Sequence, residues 1–395
     1  MVNRLKNALW LIVGAVVAVW ALSTLVDVVR GGPMEPPAAP GPTNRMAIYQ
    51  PGAGDFPIVI DQPGSYYLGE NINGEAGKDG IHIRADNVTL DLNGFTLKGA
   101  EGKSSYNGIT VPLDPTGVVY NLSIFNGTIR DWGAAGIGAS DPNGEAYNAH
   151  LADLSLMNNG GPGVRVGSAS TITRVTALGN GQDGIEADEG TVVVDSQARS
   201  NEGAGVRLDN DALVTGVVSL WNGADGINVT GGQVFDSVAN GNDRDGIGLW
   251  VGEVRGCTAS FNYGDGIQVK MISVVAGNVA AENGHDMGSP GHGINVTDAG
   301  NRIEGNIVSG NGSDVECANC DGIHVANGGN RIEANDMWNN YGDSINSLVG
   351  LGGNLIIKNS ADSAYVTHDT DTVGQIIVGG AGAFNSDQPW ANFIY

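Results

Sequence analysis

Short runs in which apolar and polar residues alternate recur along most of the chain. In the central part, each run starts with a glycine and places aliphatic residues one and three positions further on, as in Gly266-Ile267-Gln268-Val269. Alternation with period two predicts β-strands with one buried side and one solvent-facing side. Helical periodicity is missing between Phe56 and the C-terminus. The pattern therefore predicts an all-β fold.

These runs return at a nearly constant interval. Gly184, Gly205, Gly226, Gly246 and Gly266 are 21, 21, 20 and 20 residues apart, and an Asn lies four residues before each of them. The same marker extends outward at longer spacings, from Gly80 to the variant Asp343-Ser344-Ile345. A fixed period means that one unit is stacked on itself and contacts only its neighbours. We therefore expect one elongated solenoid rather than several globular domains.

Stacking turns equivalent positions into columns. Two aliphatic columns face the core, the side chains between them face solvent, and the recurring Asn predicts a ladder of amides that satisfies the backbone of the turns. The first inward column contains Ile185, Val206, Ile227, Ile247, Ile267, Ile294 and Ile323, and the second contains Leu208, Val229, Leu249, Val269, Val296 and Val325. The solvent column contains Glu186, Arg207, Asn228, Gln268, Asn295 and His324.

Residues 1–30 form a separate element. Arg4 and Lys6 precede an apolar run of 19 residues, from Ala8 to Val26, and a helix of this length crosses a bilayer core of ~30 Å. A cleaved signal peptide and a retained signal anchor both fit, and the long run without an Ala-x-Ala site favours the anchor. Either interpretation predicts an extracytoplasmic protein, in the periplasm or at the cell surface, that is membrane-anchored or secreted.

The rest of the chain divides into three segments. Residues 31–45 are rich in Pro and Gly and predict a linker, residues 46–364 carry the repeat with its N-terminal cap, and residues 365–395 have lost the repeat and predict a C-terminal cap. Gly accounts for 63 of 395 residues, which suits tight turns and closely packed strands. The oligomeric state does not follow from any of these features.

Acidic residues dominate the charge of the chain. Asp and Glu number 43 against 19 Lys and Arg, for a formal net charge of -24, so binding to nucleic acid or to anionic lipid is disfavoured. A glycan, a cation or a basic partner is easier to accommodate. Phosphate-binding loops, dinucleotide fingerprints and Ser-centred nucleophile elbows are missing. No cofactor is therefore required, although an acidic column supplies the oxygen ligands that Ca²⁺ prefers.

The Asn-x-x-Asp-Gly-Ile repeat resembles that of the pectate-lyase-like superfamily, which implies a right-handed three-sheet parallel β-helix of about twelve coils. That superfamily contains polysaccharide lyases, hydrolases and epimerases, as well as non-catalytic surface proteins, so fold alone leaves two functions open. The first is binding of a carbohydrate polymer, with cleavage or modification, on the face around residues 245–325. The second is a non-catalytic cell-surface scaffold or adhesin with a structural acidic ladder.

The column immediately before the glycine carries the candidate chemistry. Asp245, Asp265 and His292 occupy it in successive coils and resemble, in part, the motifs of polygalacturonases, here Asp245-Gly246, Gly264-Asp265-Gly266 and Gly291-His292-Gly293. The resemblance implies catalytic roles for these three residues. Gly266 replaces the second Asp of the family's middle motif, and Glu304 in Asn301-Arg302-Ile303-Glu304 stands where the family has a Lys. The alternative interpretation is that each Asp caps its own turn.

Four further residues are candidate substrate contacts. Trp250 and Lys270 lie four residues after Gly246 and Gly266, so stacking places them beside the same row, where a solvent-facing Trp offers an apolar plate to a sugar ring. Asp321 and His324 continue the same face one coil beyond His292.

Two adjacent coils carry insertions at the same turn, over residues 284–291 and 312–320, and we expect these insertions to form a wall along one face. The second contains Cys317-x-x-Cys320. A disulfide is the expected state outside the cytoplasm; a zinc site with His285, His292 and His324 is the alternative. Cys257 is expected to be a small buried residue.

Overall fold

The computed structural model describes residues 45–100, 105–113, 117–140, 144–285, 291–312, 320–347, 353–362, 365–366, 372–373, 376–378 and 391–394. The chain from Arg45 onward forms one compact unit. The predicted signal or anchor segment 1–30 and the linker up to residue 44 lie outside the described residues. Within the described ranges there is no helix long and apolar enough to span a membrane.

The described residues form short parallel strands that stack in three columns, as the repeat predicts for a parallel β-helix. Successive coils pair strand on strand, and four longer strands pass through a corner and serve two columns. Consecutive parallel strands of one column need a crossover connection between them. Here that connection contains the strands of the other two columns, so each coil contributes to all three.

The marker column follows the Gly-Ile marker and comprises Ile58–Ile60, Ile81–Ile83, Ile109–Thr110, Ile137–Ala139, Val164–Val166, Ile185–Ala187, Val206–Leu208, Ile227–Phe235, Ile247–Arg255, Ile267–Val269, Ile294–Val296, Ile323–Val325, Ile345–Ser347 and Tyr365–Val366.

The second column comprises Met46–Ile48, Gly64–Leu68, Val88–Asp91, Ser123–Arg130, His150–Met157, Thr171–Thr173, Val192–Val194, Ala212–Thr215, the later parts of Ile227–Phe235 and Ile247–Arg255, Val274–Ala276, Arg302–Glu304, Arg331–Glu333, Leu355–Ile357 and Thr372–Val373.

The third column comprises Ile72–Asn73, Thr96–Lys98, the later parts of Ser123–Arg130 and His150–Met157, Thr176–Leu178, Gln197–Arg199, Val218–Leu220, Val238–Asn240, Thr258–Ser260, Val279–Ala281, Ile307–Ser309, Asp336–Trp338, Ser360–Ala361 and Asn392–Ile394. Ile376–Val378 pairs with Asn392–Ile394, and Val118–Tyr120 pairs separately with Glu145–Tyr147.

The register places the predicted columns over one another. Ile267 pairs with Ile247 in the preceding coil and with Ile294 in the following one, and Ile294 pairs in turn with Ile323. The spacing of 27 or 29 residues across the two insertion-bearing coils therefore changes the length of a turn and leaves the strands aligned. Each coil adds ~4.8 Å along the axis.

The core consists of the two aliphatic columns predicted from the sequence. Ile247, Ile267 and Ile294 are fully buried, and so are Val269 and Val296 two positions further on. Each aliphatic side chain removed from water contributes roughly 1.5–3 kcal/mol. Small residues such as Ala239 and Ala259 line the third column, and Cys257 is buried as expected.

Asparagine ladders join the coils at two turns, and the main ladder lies at the turn before the marker strand. Each side-chain Nδ2 donates to the Oδ1 of the Asn in the next coil over 2.8–3.0 Å, and each Oδ1 also accepts the backbone N–H of the Asn in the preceding coil. The series runs through Asn159, Asn180, Asn201, Asn222, Asn242, Asn262, Asn283, Asn311 and Asn340. A second ladder runs through Asn278, Asn306, Asn335, Asn359 and Asn392. Turn backbone that would otherwise be buried without partners is thereby satisfied.

Candidate functional site

The acceptor column is the set of residues that immediately precede the marker glycine, or the serine that replaces it at position 344: Asp183, Ala204, Asp225, Asp245, Asp265, His292, Asp321 and Asp343. Each side chain with an acceptor atom, apart from the last, receives the backbone N–H of the residue above it in the next coil, over 2.6–3.3 Å. The alternative interpretation, in which each Asp caps its own turn, does not describe these contacts. The carboxylate instead satisfies a donor of the following coil, so the column ties successive coils together.

A second set of side chains lies over the acceptor column and occupies the remaining carboxylate oxygens. We call it the outer column; it consists of Glu186, Arg207, Asn228, Gly248, Gln268, Asn295, His324 and Asn346, each three residues after a member of the acceptor column. Asn228 Nδ2 donates to Asp225 Oδ2, and Arg207 forms an ion pair with Asp183. Most acceptors are therefore covered as well as tied into the ladder.

Asp265 is the most completely engaged of the predicted catalytic residues. Its Oδ1 accepts the N–H of His292 at 2.7 Å, and its Oδ2 accepts from Asn295 at 2.7 Å and from Gln268 at 3.2 Å. The side chain is buried. Proton exchange with a substrate would cost these three hydrogen bonds, so the geometry gives Asp265 a positioning role beneath His292 rather than a direct one.

Asp245 differs because its outer-column position is Gly248. Oδ1 of Asp245 accepts the N–H of Asp265 at 2.8 Å, while Oδ2 has no hydrogen-bond partner among the described residues. Burial, followed by the charges of Asp265 and Asp225, raises the pKa of Asp245 to about 7. Asp245 is therefore an uncovered carboxyl group that can hold a proton near neutral pH.

Gly248 is itself buried, but its position has room for a Cβ. A Cβ added there would come no closer than 3.5 Å to Asn228, and that distance is ordinary van der Waals contact. Steric crowding therefore does not require a glycine at this position. We call this opening above Asp245 the Gly248 notch.

His292, Asp321 and His324 form a compact cluster in the next two coils. The two imidazole rings are stacked, with centroids 4.4 Å apart and an angle of 14° between their planes. His324 Nδ1 lies 2.9 Å from Asp321 Oδ2, and the other oxygen of Asp321 accepts the N–H of Asp343 at 3.0 Å. His292 is buried, while His324 is partly exposed.

The hydrogen bonds assign opposite tautomers to the two rings. A carboxylate oxygen only accepts, so Nδ1 of His324 carries the proton and Nε2 is left with a free lone pair. Nδ1 of His292 accepts the N–H of Asp321 at 3.0 Å, so neutral His292 carries its proton on Nε2. Burial lowers the pKa of His292, which keeps this ring neutral. A proton acceptor and a proton donor therefore stand side by side.

The same cluster is the described group best able to hold a metal ion, since its ligand atoms lie within 4.8 Å of one another. Two imidazoles and a carboxylate suit zinc or a related transition metal better than Ca²⁺, which prefers oxygen ligands. Stacked rings direct their in-plane lone pairs along parallel planes, so the nitrogens do not converge on one point. The arrangement favours acid and base chemistry by the imidazoles themselves.

An aspartate and a histidine three residues apart also occur near the N-terminal end. His82 Nε2 lies 2.8 Å from Asp79 Oδ2, because the coil places these positions together wherever they occur. Nδ1 of His82 is buried without a hydrogen-bond partner among the described residues. The pairing is therefore a property of the fold, and only at His324 does it leave the far nitrogen available beside a second imidazole.

Trp250 and Lys270 lie against each other, as their positions in adjacent coils predict. The Lys270 ammonium nitrogen is 3.6 Å from the centroid of the Trp250 ring, and Trp250 is 53% exposed. Both follow the outer column by two residues on the same face. A flat ring and a cation are thus available beside the row, although the cation–π contact holds the ammonium over the ring.

The two insertions leave the same turn in successive coils. The backbone N–H of Gly284 bonds to Asn262, and that of Gly312 bonds to Asn283. Residues 286–290 and 313–319, which include Cys317 and the predicted wall, lie outside the described residues. Cys320 is disulfide-bonded and so offers no thiolate to zinc. His285 contacts the rings of Phe261 and Tyr263 rather than the His292 cluster.

Sequence reasoning identified His292, Asp321 and His324 but assigned them to different roles. The signal that links them is the Asp321-Gly322-Ile323-His324 spacing, placed one coil after a histidine in the acceptor column. Sequence reasoning missed the Gly248 notch; the corresponding signal is a glycine in a column that otherwise carries polar side chains.

No protein-family model matches the chain, and no curated protein does. Two solved structures are similar to it. The A-module of the Azotobacter vinelandii mannuronan C-5 epimerase AlgE4 aligns with a TM-score of 0.57 and 20% identity, over 73% of this chain and 90% of the module. The A-module of the mannuronan C-5 epimerase AlgE6 from the same organism gives 0.54 and 16%, over 78% and 91%. At these identities the likeness is one of fold, and it confirms a parallel β-helix.

Proposed function

We propose that this β-helix binds a carbohydrate polymer containing uronate residues along the outer face and removes the proton next to the uronate carboxylate. The observation that carries the proposal is the stacked His292–His324 pair with opposite tautomers. The names of the two similar structures, which describe action on mannuronan, support a polymer of this class as the substrate.

Each group of the cluster has a separate task. Nε2 of His324 accepts the proton from carbon, and the Asp321 carboxylate orients the ring and stabilises the imidazolium that forms. Nε2–H of His292 donates its proton to the oxygen that leaves, and Asp265 holds the backbone of His292 in place. Lys270 offers a cation to a substrate carboxylate, and Trp250 offers its ring face to a sugar.

The placement of the two rings favours elimination as the outcome. Rings stacked 4.4 Å apart cannot enclose a sugar between them, so both act from one side of the substrate. Removal of the proton and protonation of the leaving oxygen on the same side cleave the glycosidic bond and leave a double bond. Epimerisation requires proton return from the opposite side. Retaining or inverting hydrolysis requires two available carboxyl groups, and Asp245 has no uncovered partner in Asp265.

The test is to incubate the full chain with polymannuronate, polygalacturonate and a neutral glucan in deuterium oxide. Unsaturated products indicate elimination, deuterium at the carbon next to the carboxylate without cleavage indicates epimerisation, and new reducing ends alone indicate hydrolysis. We expect unsaturated products from a polyuronate, with a loss of about 10²- to 10⁴-fold in His324→Ala and His292→Ala. His82→Ala is the matched control and should retain activity.

A chelator arm separates the imidazole mechanism from a metal-dependent one. EDTA should leave the rate unchanged if the stacked rings act directly. Loss of turnover in EDTA, with recovery on adding zinc, would replace this mechanism with one that uses the His292–Asp321–His324 metal set. Absence of turnover on all three polymers would remove the catalytic proposal altogether.

One observation favours the second candidate, a non-catalytic surface scaffold. The acceptor column ties coils together even where no histidine or notch is present, as between Asp183 and Ala204, so the acidic ladder has a structural role by itself. The proposed location outside the cytoplasm is common to both functions and depends on residues 1–30. Cell fractionation with detergent extraction tests it, and recovery in the soluble cytoplasmic fraction would contradict it.

A further inference from the structure

The residues that immediately precede the acceptor column form a hydrogen-bonded series of their own, which we call the pre-acceptor series. In this series, a backbone N–H donates to the carbonyl of the equivalent residue in the preceding coil, over 2.8–3.1 Å. Four such bonds are Gly203 to Gln182, Ala224 to Gly203, Gly264 to Arg244, and Gly342 to Cys320. The series thus ties the backbone of one acceptor to that of the next.

Gly291, which precedes His292, departs from this series. By position its N–H would donate to the Gly264 carbonyl, but Gly284, where the first insertion leaves the coil, donates to that carbonyl at 3.0 Å. The backbones are so close that a Cβ on Gly291 would collide with both Gly284 and the Gly264 carbonyl. The Gly291 N–H instead donates to Sγ of Cys320 in the following coil, at 3.3 Å. The sulfur therefore satisfies a backbone donor that the insertion left without its usual acceptor.

Cys320 is linked in this way to both ends of one hydrogen bond of the catalytic cluster. It precedes Asp321 in the chain, and its sulfur holds the residue that precedes His292. The bond between them, from the Asp321 N–H to His292 Nδ1, measures 3.0 Å and assigns the tautomer of His292. Cys320 is fully buried. The position of its sulfur consequently bears on the geometry of the imidazole that donates the proton.

A disulfide holds this sulfur in place. Cys320 is disulfide-bonded, and because the chain has three cysteines and Cys257 is free, its partner is Cys317. A thiol at position 320 would be free to rotate about the Cα–Cβ bond and to leave the Gly291 N–H. Only two residues separate the two cysteines, and so short a ring constrains the unfolded chain little. The effect of the bond should therefore be local to the site.

We propose that Cys320 is a redox-sensitive positioning residue. Its oxidised form holds the backbone of His292 and Asp321 in the arrangement that the proposed function uses, and reduction by a dithiol releases them. The effect on turnover rests on the proposed function, whereas the effect on the imidazole rings does not.

The reduction is a pair of thiol–disulfide exchanges. A thiolate of the dithiol attacks the Cys317 sulfur, the S–S bond breaks, and the Cys320 thiolate leaves and takes up a proton. The second thiol of the dithiol then displaces Cys317 and closes a cyclic disulfide. The protein gains two electrons and two protons, and the dithiol loses the same number.

The test observes the histidine rings as well as turnover. The chain contains six histidines, so selective ¹⁵N labelling gives few ring signals, and His292→Ala and His324→Ala assign two of them. Full-length wild type, Cys317→Ala and Cys320→Ala are compared before and after addition of dithiothreitol. Cys257→Ser is the matched control, because Ser237 holds the equivalent position in the preceding coil.

In the oxidised wild type, the His292 signal should be that of the Nε2–H tautomer. Dithiothreitol and Cys317→Ala should each shift or broaden the signals of both rings. Both should also lower kcat about tenfold or more with a smaller effect on KM, since displacing a catalytic group by ~1 Å costs about 10²-fold. The melting temperature should fall by less than about 5 °C.

The remaining variants separate the sulfur from other effects of the reductant. Cys320→Ala should show the same loss and no further response to dithiothreitol, and Cys257→Ser should behave as the wild type does in both states. Ring signals that change with redox state while no polymer is turned over would keep the inference and remove only the proposed function.

Two results would overturn the inference. The first is that the His292 and His324 signals are the same in the oxidised and reduced protein, whether or not a polymer is turned over. The second is that reduction abolishes cooperative thermal unfolding, because the disulfide would then hold the fold rather than the site.

Discussion

Asp245 and Asp265 hold equivalent positions in adjacent coils, yet their chemistry differs. Asp265 lies beneath Gln268 and Asn295 and accepts from both, whereas Asp245 lies beneath Gly248 and keeps one oxygen free of hydrogen bonds within the described chain. A carboxylate loses solvation on burial, and hydrogen bonds return part of that loss to the charged form. The difference therefore follows from one missing side chain three residues away.

Stability should depend on pH through Asp245. Its pKa rises from 3.8 to about 7 in the folded protein, so between these pH values the folded state holds a proton that the unfolded state has lost. Stability from this group consequently falls as pH rises from about 4 to about 7. Asp245→Asn should remove the fall and stabilise the protein by about 1–2 kcal/mol at pH 8, with little change at pH 4.

Urea unfolding of wild type and Asp245→Asn at pH 4, 6 and 8 measures this. The exposed neighbour Asp243 provides the control, and Asp243→Asn should follow the wild-type profile. A wild-type stability that increases across this range and an Asp245→Asn variant that is less stable at pH 8 would both contradict the assignment.

At the scale of the element, each marker strand has the same inward-facing positions, and its outer-column residue differs from coil to coil. The inward positions must fill the core, while the outer column determines which acceptors are covered. Ile247–Arg255 is the strand that carries Gly248 and Trp250 together, so the notch and the exposed ring are two and four residues after Gly246. The site is thus a local variation of a strand that is otherwise conventional in its packing.

Placing a hydrogen-bonding side chain in the Gly248 notch should lower the pKa of Asp245. Gly248→Asn places an amide where Asn228 covers Asp225 in the preceding coil, and a hydrogen bond to the carboxylate lowers its pKa. The fold should tolerate the change, since a Cβ at this position has room. Carboxyl NMR titration should show the pKa of Asp245 falling by about one unit or more.

Gly248→Ala is the control for this variant, because it adds only the Cβ and offers no donor. It should leave the Asp245 titration near that of the wild type. An unchanged titration in Gly248→Asn, together with a native melting temperature, would show that the notch does not control Asp245.

Disrupting the asparagine ladder should lower the free energy of unfolding substantially. Asn242 accepts the N–H and Nδ2 of Asn222 at 3.1 and 3.0 Å and donates to Asn262 at 2.9 Å. Asn242→Ala leaves these buried groups without partners and should cost about 2–4 kcal/mol. The midpoint of urea unfolding measures the loss, and exposed Asn210→Ala should change it by less than about 0.5 kcal/mol. Equal losses of stability in Asn242→Ala and Asn210→Ala would contradict a stabilising role for the ladder.

At the scale of the whole molecule, the charge of the chain opposes its own folding. A net charge of -24 repels itself most strongly in the compact state, and the described cations are largely occupied in local pairs such as Arg165–Glu186 and Arg174–Asp153. The same field repels a polyuronate at long range. Short-range contacts from Lys270 and Trp250 would have to overcome that repulsion once the polymer arrives.

Salt should therefore stabilise the protein. Screening shortens the range of repulsion from about 30 Å at 0.01 M to about 8 Å at 0.15 M, and we expect the melting temperature to rise by ~2–5 °C over this interval. Differential scanning calorimetry in sodium chloride measures the change, and an equal osmolarity of glycerol is the control. A melting temperature that falls with salt would show that the paired charges outweigh the net repulsion.

Much of the architecture was determined by the sequence alone. The spacing of Gly226, Gly246 and Gly266 determined the coil length, the alternation after each glycine determined which side chains are buried, and the recurring Asn determined the ladder. These features are local and recur in each coil, so the coils stack with equivalent positions aligned. This alignment was enough to bring Asp245, Asp265 and His292 into one row, and His324 next to His292.

What each member of that row can do was decided only by the tertiary structure. Whether a carboxylate is free depends on what lies three residues further along and one coil away, which is why Asp265 is engaged and Asp245 is open. The tautomers of His292 and His324 depend on a backbone N–H of the next coil and on the orientation of Asp321. Periodicity places residues in a column, but protonation and access are set by contacts between columns, and these exist only once the coils are stacked.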